Sequence, residues 1–284
     1  MPWLDGTHHG SSVVPFDLAD RGLLLGDGVF DTSLVLGGQM VWRGAHVARL
    51  VLSCQALGFT IDPARIEAAI DGVLGASHGS LRLTVTRGTG PRGIAPPKDP
   101  KPTVFATFGP LRSNALFAPL SLHVTKILRN ESSPASKLKS LSYVDSVLGT
   151  AEAIAAGCDD ALFFNTRGHV ACTAIGNVFL LVGDQMLTPS IDDGVVAGTL
   201  RGLILRTCEE LGFEPVERAL LASDLERADA VVVTNSLRLL APVTAIGRRH
   251  VGSSSSRRVQ ALIAHVAGIV RDETGVDPRK LADG

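Results

Sequence analysis

A chain of 284 residues with 45% hydrophobic content can bury a sizeable core, as one large domain or two ordinary ones. A formal net charge of −1, without long runs of one sign, leaves no electrostatic footprint for nucleic acid or an anionic membrane, so the expected partner is a small molecule. Cys54, Cys158, Cys172 and Cys208 lie far apart with no C-x-x-C spacing, which argues against structural zinc and a disulfide framework and for a reduced, cytoplasmic setting.

The opening MPWLDGTHHG has no basic region followed by an apolar stretch, and no window of about 18 apolar residues is present to span a bilayer. His8 and His9 are read as incidental, and no metal site is expected. Residues 23–42 are apolar runs broken by glycine, with Gly37-Gly38 marking a hairpin between segments ending at Leu36 and starting at Gln39. From His46 the period changes: Val47, Leu50, Val51, Cys54 and Leu57 recur at helical spacing until Gly58. A second helix over about 63–74 precedes a strand at 81–87. Residues 87–102 then form a Gly/Pro loop, long enough within a domain to suggest function.

A strand at Val104–Gly109 stops at Pro110, and a domain boundary is expected close by: an N-terminal domain over 1–113, a linker over 114–120 and a C-terminal domain over 121–284. The second half predicts a hairpin turning at Arg167-Gly168, another at Gly183-Asp184, and a helix from Thr199 with Leu200, Leu203, Ile204, Cys208 and Leu211 on one face, stopped by Gly212. ADAVVVTNS (228–236) reads as a buried strand ending in turn residues, and 257–270 as a last amphipathic helix. The pattern is α/β, with no solenoid repeat.

Three local features carry chemistry. AGTLRG (197–202) opens a helix after an irregular segment, so the amides of Thr199 and Leu200 face outward at a positive helix end, a weak anion-seat signal that a plain capped helix would also give. TNS (234–236) offers hydroxyls and amides in a turn after an apolar strand. Lysine is scarce, six of 27 basic residues, yet Lys137 and Lys139 crowd one helix entrance. A lysine beside Leu138 and Leu141 is placed for the desolvation that lowers an amine pKa and makes it a Schiff-base nucleophile; a plain surface lysine fits the same pattern.

Taken in order, DRGLLLGDGVFDTS (20–33), HVARL (46–50), TRGTGPRG (86–93), KSLSY (139–143), AEAIAAGCDDALFFNTRG (151–168), GNVF (176–179), LTPSIDDGVVAGTLRG (187–202) and TNSLRLLAPV (234–243) resemble the class IV aminotransferases over nearly the whole chain. These are pyridoxal-phosphate enzymes of fold type IV, and they include branched-chain and D-amino-acid aminotransferases and 4-amino-4-deoxychorismate lyase. The resemblance implies a two-domain α+β fold, a smaller N-terminal α/β domain and a larger β-rich C-terminal domain with helices, acting on a small amino substrate as a homodimer. It implies that Lys139 forms the Schiff base with pyridoxal 5′-phosphate, with Lys137 a neighbour. Arg49 would pair with the cofactor phosphate, alongside the amides of Thr199 and Leu200 and the hydroxyl of Ser236. Tyr143 falls where branched-chain members place a tyrosine near the cofactor's phenolic oxygen, and Arg92 matches a loop arginine that recognises substrate carboxylate in D-amino-acid members.

The chain departs from the family pattern at Cys172. Family members carry a glutamate four residues after the hairpin glycine and an asparagine nine after it; Gly168 and Asn177 fit, but the glutamate position is a thiol. That glutamate keeps the pyridine nitrogen protonated, and a thiol with a reference pKa of about 8.5 holds such a proton less well. Transamination should suffer more than an elimination that ends in an aromatic ring. The N-S-L of TNSLRLLAPV is similar to the lyase pattern, and Arg238 could meet a second substrate carboxylate. The expectation is a 4-amino-4-deoxychorismate lyase of the folate route, releasing pyruvate and 4-aminobenzoate. The alternatives are an aminotransferase for D- or branched-chain amino acids, or a cofactor-binding member with weak or lost catalysis.

Overall fold

Residues 2–282 are described by the computed structural model, and their contacts divide into two units. The first runs to Arg112 and takes in Lys139–Ser142; the second holds Ser113–Leu138 and the described chain from Tyr143 onward.

Strands β1 (Trp3–Leu4), β2 (Thr7–His8), β3 (Gly28–Leu36), β4 (Gln39–Met40), β5 (Gly79–Thr86) and β6 (Thr103–Pro110) make the first unit's antiparallel sheet, in the order β2-β1-β6-β5-β3-β4. The β3–β4 hairpin pairs Leu36 with Gln39 across Gly37 and Gly38, whose φ values of 57° and 79° are the left-handed pair a two-residue turn requires. Helix α1 (Arg21–Leu25) precedes β3, and helices α2 (Arg43–Ala56) and α3 (Pro63–Val73) follow the hairpin. Asp62 accepts from the Ala64 amide and Pro63 sits in the first turn, which starts α3 without orphaned donors. Val47, Leu50, Cys54, Ile66 and Ile70 pack with Leu81, Leu83 and Val104, each large aliphatic contributing about 1.5–3 kcal/mol by leaving water. Strand periodicity puts Val29, Asp31, Ser33 and Val35 on one face of β3. Val29 and Val35 join this core, and a carboxylate therefore enters it beside them.

The second unit is built on a nine-stranded sheet: β7 (Leu120–Val124), β8 (Asp160–Phe164), β9 (Val170–Thr173), β10 (Asn177–Val182), β11 (Gln185–Thr188), β12 (Glu214–Glu217), β13 (Ala230–Asn235), β14 (Leu239–Ile246) and β15 (Arg249–His250). Its order is β12-β11-β10-β13-β14-β7-β8-β9, with β15 paired to β14. The apolar run of β13 is buried on both faces, as a central strand must be. Helices α4 (Val144–Ala155), α5 (Thr199–Thr207), α6 (Ala222–Arg227), α7 (Arg257–Thr274) and α8 (Arg279–Ala282) complete the unit. Gly149 lets α4 lie directly on β8, since a Cβ there would overlap the Phe163 ring. The helix expected from Thr199 to Gly212 ends as α-helix at Thr207 and tightens to a 3-10 turn over Cys208–Leu211. Gly212, at φ 74°, closes that turn on the Cys208 and Glu209 carbonyls. Among the described residues no helix is long and apolar enough to cross a membrane, and no His/Cys/Asp/Glu cluster is suited to a metal ion.

Candidate active site

The carboxylate on β3 is buried and held by several partners. Asp31, 1% exposed, receives both arms of Arg49, Nε at 2.8 Å and Nη2 at 2.7 Å, and lies 2.8 Å from His46 Nδ1. His46 and Arg49 stand three residues apart on α2, the spacing that puts two side chains on one helix face. Burial pushes the Asp31 carboxyl up, but the hydrogen bond from His46 and the Arg49 charge outweigh it and hold the group well below the usual carboxylate range. A carboxylate can only accept, so His46 presents Nδ1–H to it, and His46 Nε2 is left buried with no hydrogen-bond partner. The result is an arginine whose guanidinium plane is fixed, the arrangement that serves recognition of a phosphate or carboxylate.

Lys139–Ser142 lies along the start of β3 like a short added strand. The Phe30 amide donates to the Lys139 carbonyl at 2.9 Å, the Leu141 amide donates to the Gly28 carbonyl at 3.0 Å, and Val29 and Ser140 form a bridge. Lys139 is half-buried, with Nζ 4.3 Å from the centre of the Phe30 ring, so backbone and side chain are both located. Lys137, two residues earlier in the second unit, is occupied by Asp192 at 2.8 Å. Tyr143 is the N-cap residue of α4 and is half-buried.

Within the second unit, three chain segments meet at one end of the sheet. Asn177 opens β10 opposite Thr234 near the end of β13, and its side-chain amide donates to the Val196 carbonyl at 2.9 Å. Gly198, the N-cap of α5, approaches Asn177 so closely that a Cβ would overlap Oδ1. No side chain caps α5, so the amides of Thr199 and Leu200 head a bare positive helix end. Thr234 Oγ1 is buried without a partner, and Ser236, 9% exposed, follows in the turn. Asn235 Oδ1 accepts from the amides of Leu237 and Arg238 at 2.9 and 2.8 Å, which fixes that turn; Arg238 is half-buried.

Cys172 is half-buried on β9, in register with Phe163 of β8. Burial pushes its thiol up, and nearby Arg129 only partly opposes the rise. Arg129 stacks over the Phe163 ring at 4.0 Å and donates to Ser146 Oγ at 2.7 Å. The carboxylate whose field reaches Cys172 is Asp160, itself buried and raised above its ordinary value by desolvation, with Oδ2 unpartnered.

Arg92 is exposed on the long loop, and the loop has an anchor that its Gly/Pro composition hides. Arg21, 4% exposed, sends Nη1 to the Gly93 and Ala95 carbonyls at 3.1 and 3.3 Å, Nη2 to the Ile94 carbonyl at 2.9 Å, and Nε to Asp27 at 2.8 Å. Asp27 also receives Arg87 Nε at 2.7 Å; although burial pushes its carboxyl up, the hydrogen bonds from Arg87 and Arg21 hold it below its ordinary value. Replacing Arg21 with methionine removes donors to three carbonyls and orphans part of the Asp27 charge, a loss on the order of 3 kcal/mol. Hydrogen exchange should then accelerate in residues 88–97 more than elsewhere in the unit. Unchanged protection there would show that Arg21 does not order the loop.

Asp31, His46, Arg21 and Arg129 were not singled out from the sequence as site residues. Asp31 did leave a signal, a lone carboxylate within the apolar run VFDTSLVL. Lys139 and Arg49 are placed in the first unit; Tyr143, Cys172, Thr199, Leu200, Ser236 and Arg238 are placed in the second.

The family model for class IV amino-transferases matches residues 28–246. The chain is 28% identical over 283 residues to a protein of Methanocaldococcus jannaschii named as a candidate branched-chain-amino-acid aminotransferase, covering 96% of this chain and 97% of the relative. It is 28% identical over 250 residues to the aminodeoxychorismate lyase of Bacillus subtilis, covering 86% and 85%. The crystal structure of 4-amino-4-deoxychorismate lyase from Pseudomonas aeruginosa superposes with a TM-score of 0.80 at 26% identity, covering 97% of this chain and all (100%) of that one.

Proposed function

The chain belongs to the class IV amino-transferase family, a family of pyridoxal-phosphate-dependent enzymes, and on that premise we propose that it is a 4-amino-4-deoxychorismate lyase releasing pyruvate and 4-aminobenzoate. The observation that carries this reading is Cys172, a thiol kept protonated by burial where the family pattern has a glutamate. A site without a carboxylate there suits a reaction whose driving force lies in its product, the aromatic ring of 4-aminobenzoate, better than one that depends on stabilising a carbanion.

The residues fit the cofactor. An uncapped α5 N-terminus beside the unpartnered Thr234 hydroxyl is a seat for phosphate oxygens, and we assign it to Thr199, Leu200 and Ser236. Arg49, fixed by Asp31, is assigned the phosphate charge, and Lys139 Nζ the covalent attachment. When bound, pyridoxal phosphate supplies an electron-withdrawing ring joined to the substrate nitrogen. The work left to the protein is proton movement. Lys139 Nζ would remove the proton from the substrate carbon bearing nitrogen and return one to the departing enolpyruvyl group. Arg92 and Arg238 are assigned the substrate carboxylates, and Tyr143 the neighbourhood of the cofactor's phenolic oxygen.

The test is direct. Protein loaded with pyridoxal phosphate is mixed with enzymatically generated aminodeoxychorismate, and 4-aminobenzoate and pyruvate are followed. D-Alanine and L-leucine, each with 2-oxoglutarate, are run in parallel. Equal yields of the two products support the lyase; silence there, with keto acid formed from an amino donor, moves the assignment to the aminotransferase that the Methanocaldococcus relative favours.

We also propose that two copies pair. Val144, Val147, Leu148 and Ile154 of α4 are 67%, 64%, 51% and 68% exposed, an apolar helix face of the kind that oligomers cover. Light scattering should give twice the 29.7 kDa chain mass, and the double replacement Val147→Asp, Leu148→Asp should halve it. An unchanged mass would exclude this face.

A further inference from the structure

The environment of Cys172 allows a step beyond the identity of the reaction, and it rests on the reading that pyridoxal phosphate occupies this site. Arg129 is not a surface charge that happens to be near. Its amide donates to the Phe164 carbonyl at 2.9 Å and the residue bridges to Asn165, so its backbone is tied along the end of β8. Its guanidinium carbon lies over the Phe163 ring, 4.0 Å from the centre, and its Nη2 donates to Ser146 Oγ at 2.7 Å. Phe163 is the register partner of Cys172. A fixed cation thus lies beside the thiol, within hydrogen-bonding reach of it, while burial still pushes the thiol up.

We propose that Arg129 and Cys172 keep the pyridine nitrogen of the cofactor unprotonated, the thiol offering its S–H to the nitrogen lone pair and the guanidinium opposing a second positive charge. A neutral thiol is a weak donor with no anionic form at hand, so it can satisfy a lone pair but cannot stabilise a pyridinium. A cation held in place raises the cost of a like charge nearby. The pair therefore sets the electronic state of the cofactor, and with it the class of substrate. Compounds whose products are stabilised on their own, such as those that aromatise on elimination, are turned over; simple amino acids that need a strong electron sink are poor donors.

The measurement is nitrogen-15 NMR of the protein reconstituted with pyridoxal phosphate labelled at the ring nitrogen. Borohydride trapping and peptide mass analysis first establish that the cofactor is attached at Lys139. Absence of that adduct would overturn the cofactor reading, a result distinct from failure of the present proposal. With the adduct present, the resonance should lie in the range of an unprotonated pyridine at neutral pH. Cys172→Ser should leave it there, and Cys172→Glu should move it to the pyridinium range while accelerating the half-reaction with amino donors at least tenfold. A pyridinium resonance in the unsubstituted protein at neutral pH would overturn the proposal, and this reading needs no variant to fold.

Discussion

Replacing Lys139 with alanine should remove the borohydride-trappable cofactor adduct and lower kcat/KM by at least about a thousandfold, since one residue supplies both the covalent attachment and the proton transfers. The fold should survive. Only the side chain is lost, its approach to the Phe30 face at 4.3 Å included. The Lys139 carbonyl still accepts from the Phe30 amide, and the Leu141 amide still donates to Gly28, so the strand-like attachment of this tetrapeptide to β3 remains. Lys137→Ala is the matched control. That lysine forms an ion pair with Asp192, which is 86% exposed, and a pair of this kind contributes about 0–1 kcal/mol. Activity and adduct should therefore persist in the Lys137 variant. An adduct that survives in the Lys139 variant and maps to Lys137 would reverse the assignment of the two lysines.

These two lysines also show what a sequence can and cannot convey. The crowding of scarce lysines at 137 and 139 was visible, and so were the hairpins at Gly37-Gly38, Arg167-Gly168 and Gly183-Asp184, because turn chemistry and strand alternation are local. The amides at Thr199 and Leu200 were legible for the same reason: a glycine entering a helix without a side-chain cap is written in adjacent residues. By contrast, the return of Lys139–Ser142 to the edge of β3 joins segments about a hundred positions apart and leaves no local pattern. The Arg21 clasp on residues 93–95 is equally non-local, and backbone carbonyls as acceptors carry no side-chain signature. Arg129 looks like any arginine after a strand until Phe163 and Ser146 are seen around it. What stays hidden is therefore the layer that fixes the orientation of the chemically active groups.

Asp31 is the strongest case of that hidden layer, and its replacement by alanine should cost about 3–5 kcal/mol, because a buried charge pair broken on one side leaves Arg49 and His46 without their acceptor. Trp3 and Trp42, both in the first unit, allow the loss to be read by fluorescence during urea unfolding of the cofactor-free protein. The pH dependence follows from the direction of the shift. The folded-state pKa of Asp31 lies below that of the unfolded chain, so its stabilisation is complete above about pH 4 and declines as pH falls toward the folded value. Other paired carboxylates, Asp27 and Asp224 among them, titrate in the same direction, so the absolute stability of the unsubstituted protein falls in acid for several reasons. The difference between unsubstituted protein and Asp31→Asn isolates the one group. It should be largest near neutrality and narrow below pH 4; a gap that is constant or widens in acid would mean that Asp31 is not the charge holding this pair. The same variant should weaken pyridoxal-phosphate affinity without abolishing the Lys139 adduct at saturating cofactor, since it loosens Arg49 and leaves Lys139 in place. That separation between affinity and attachment is what distinguishes a positioning residue from a catalytic one.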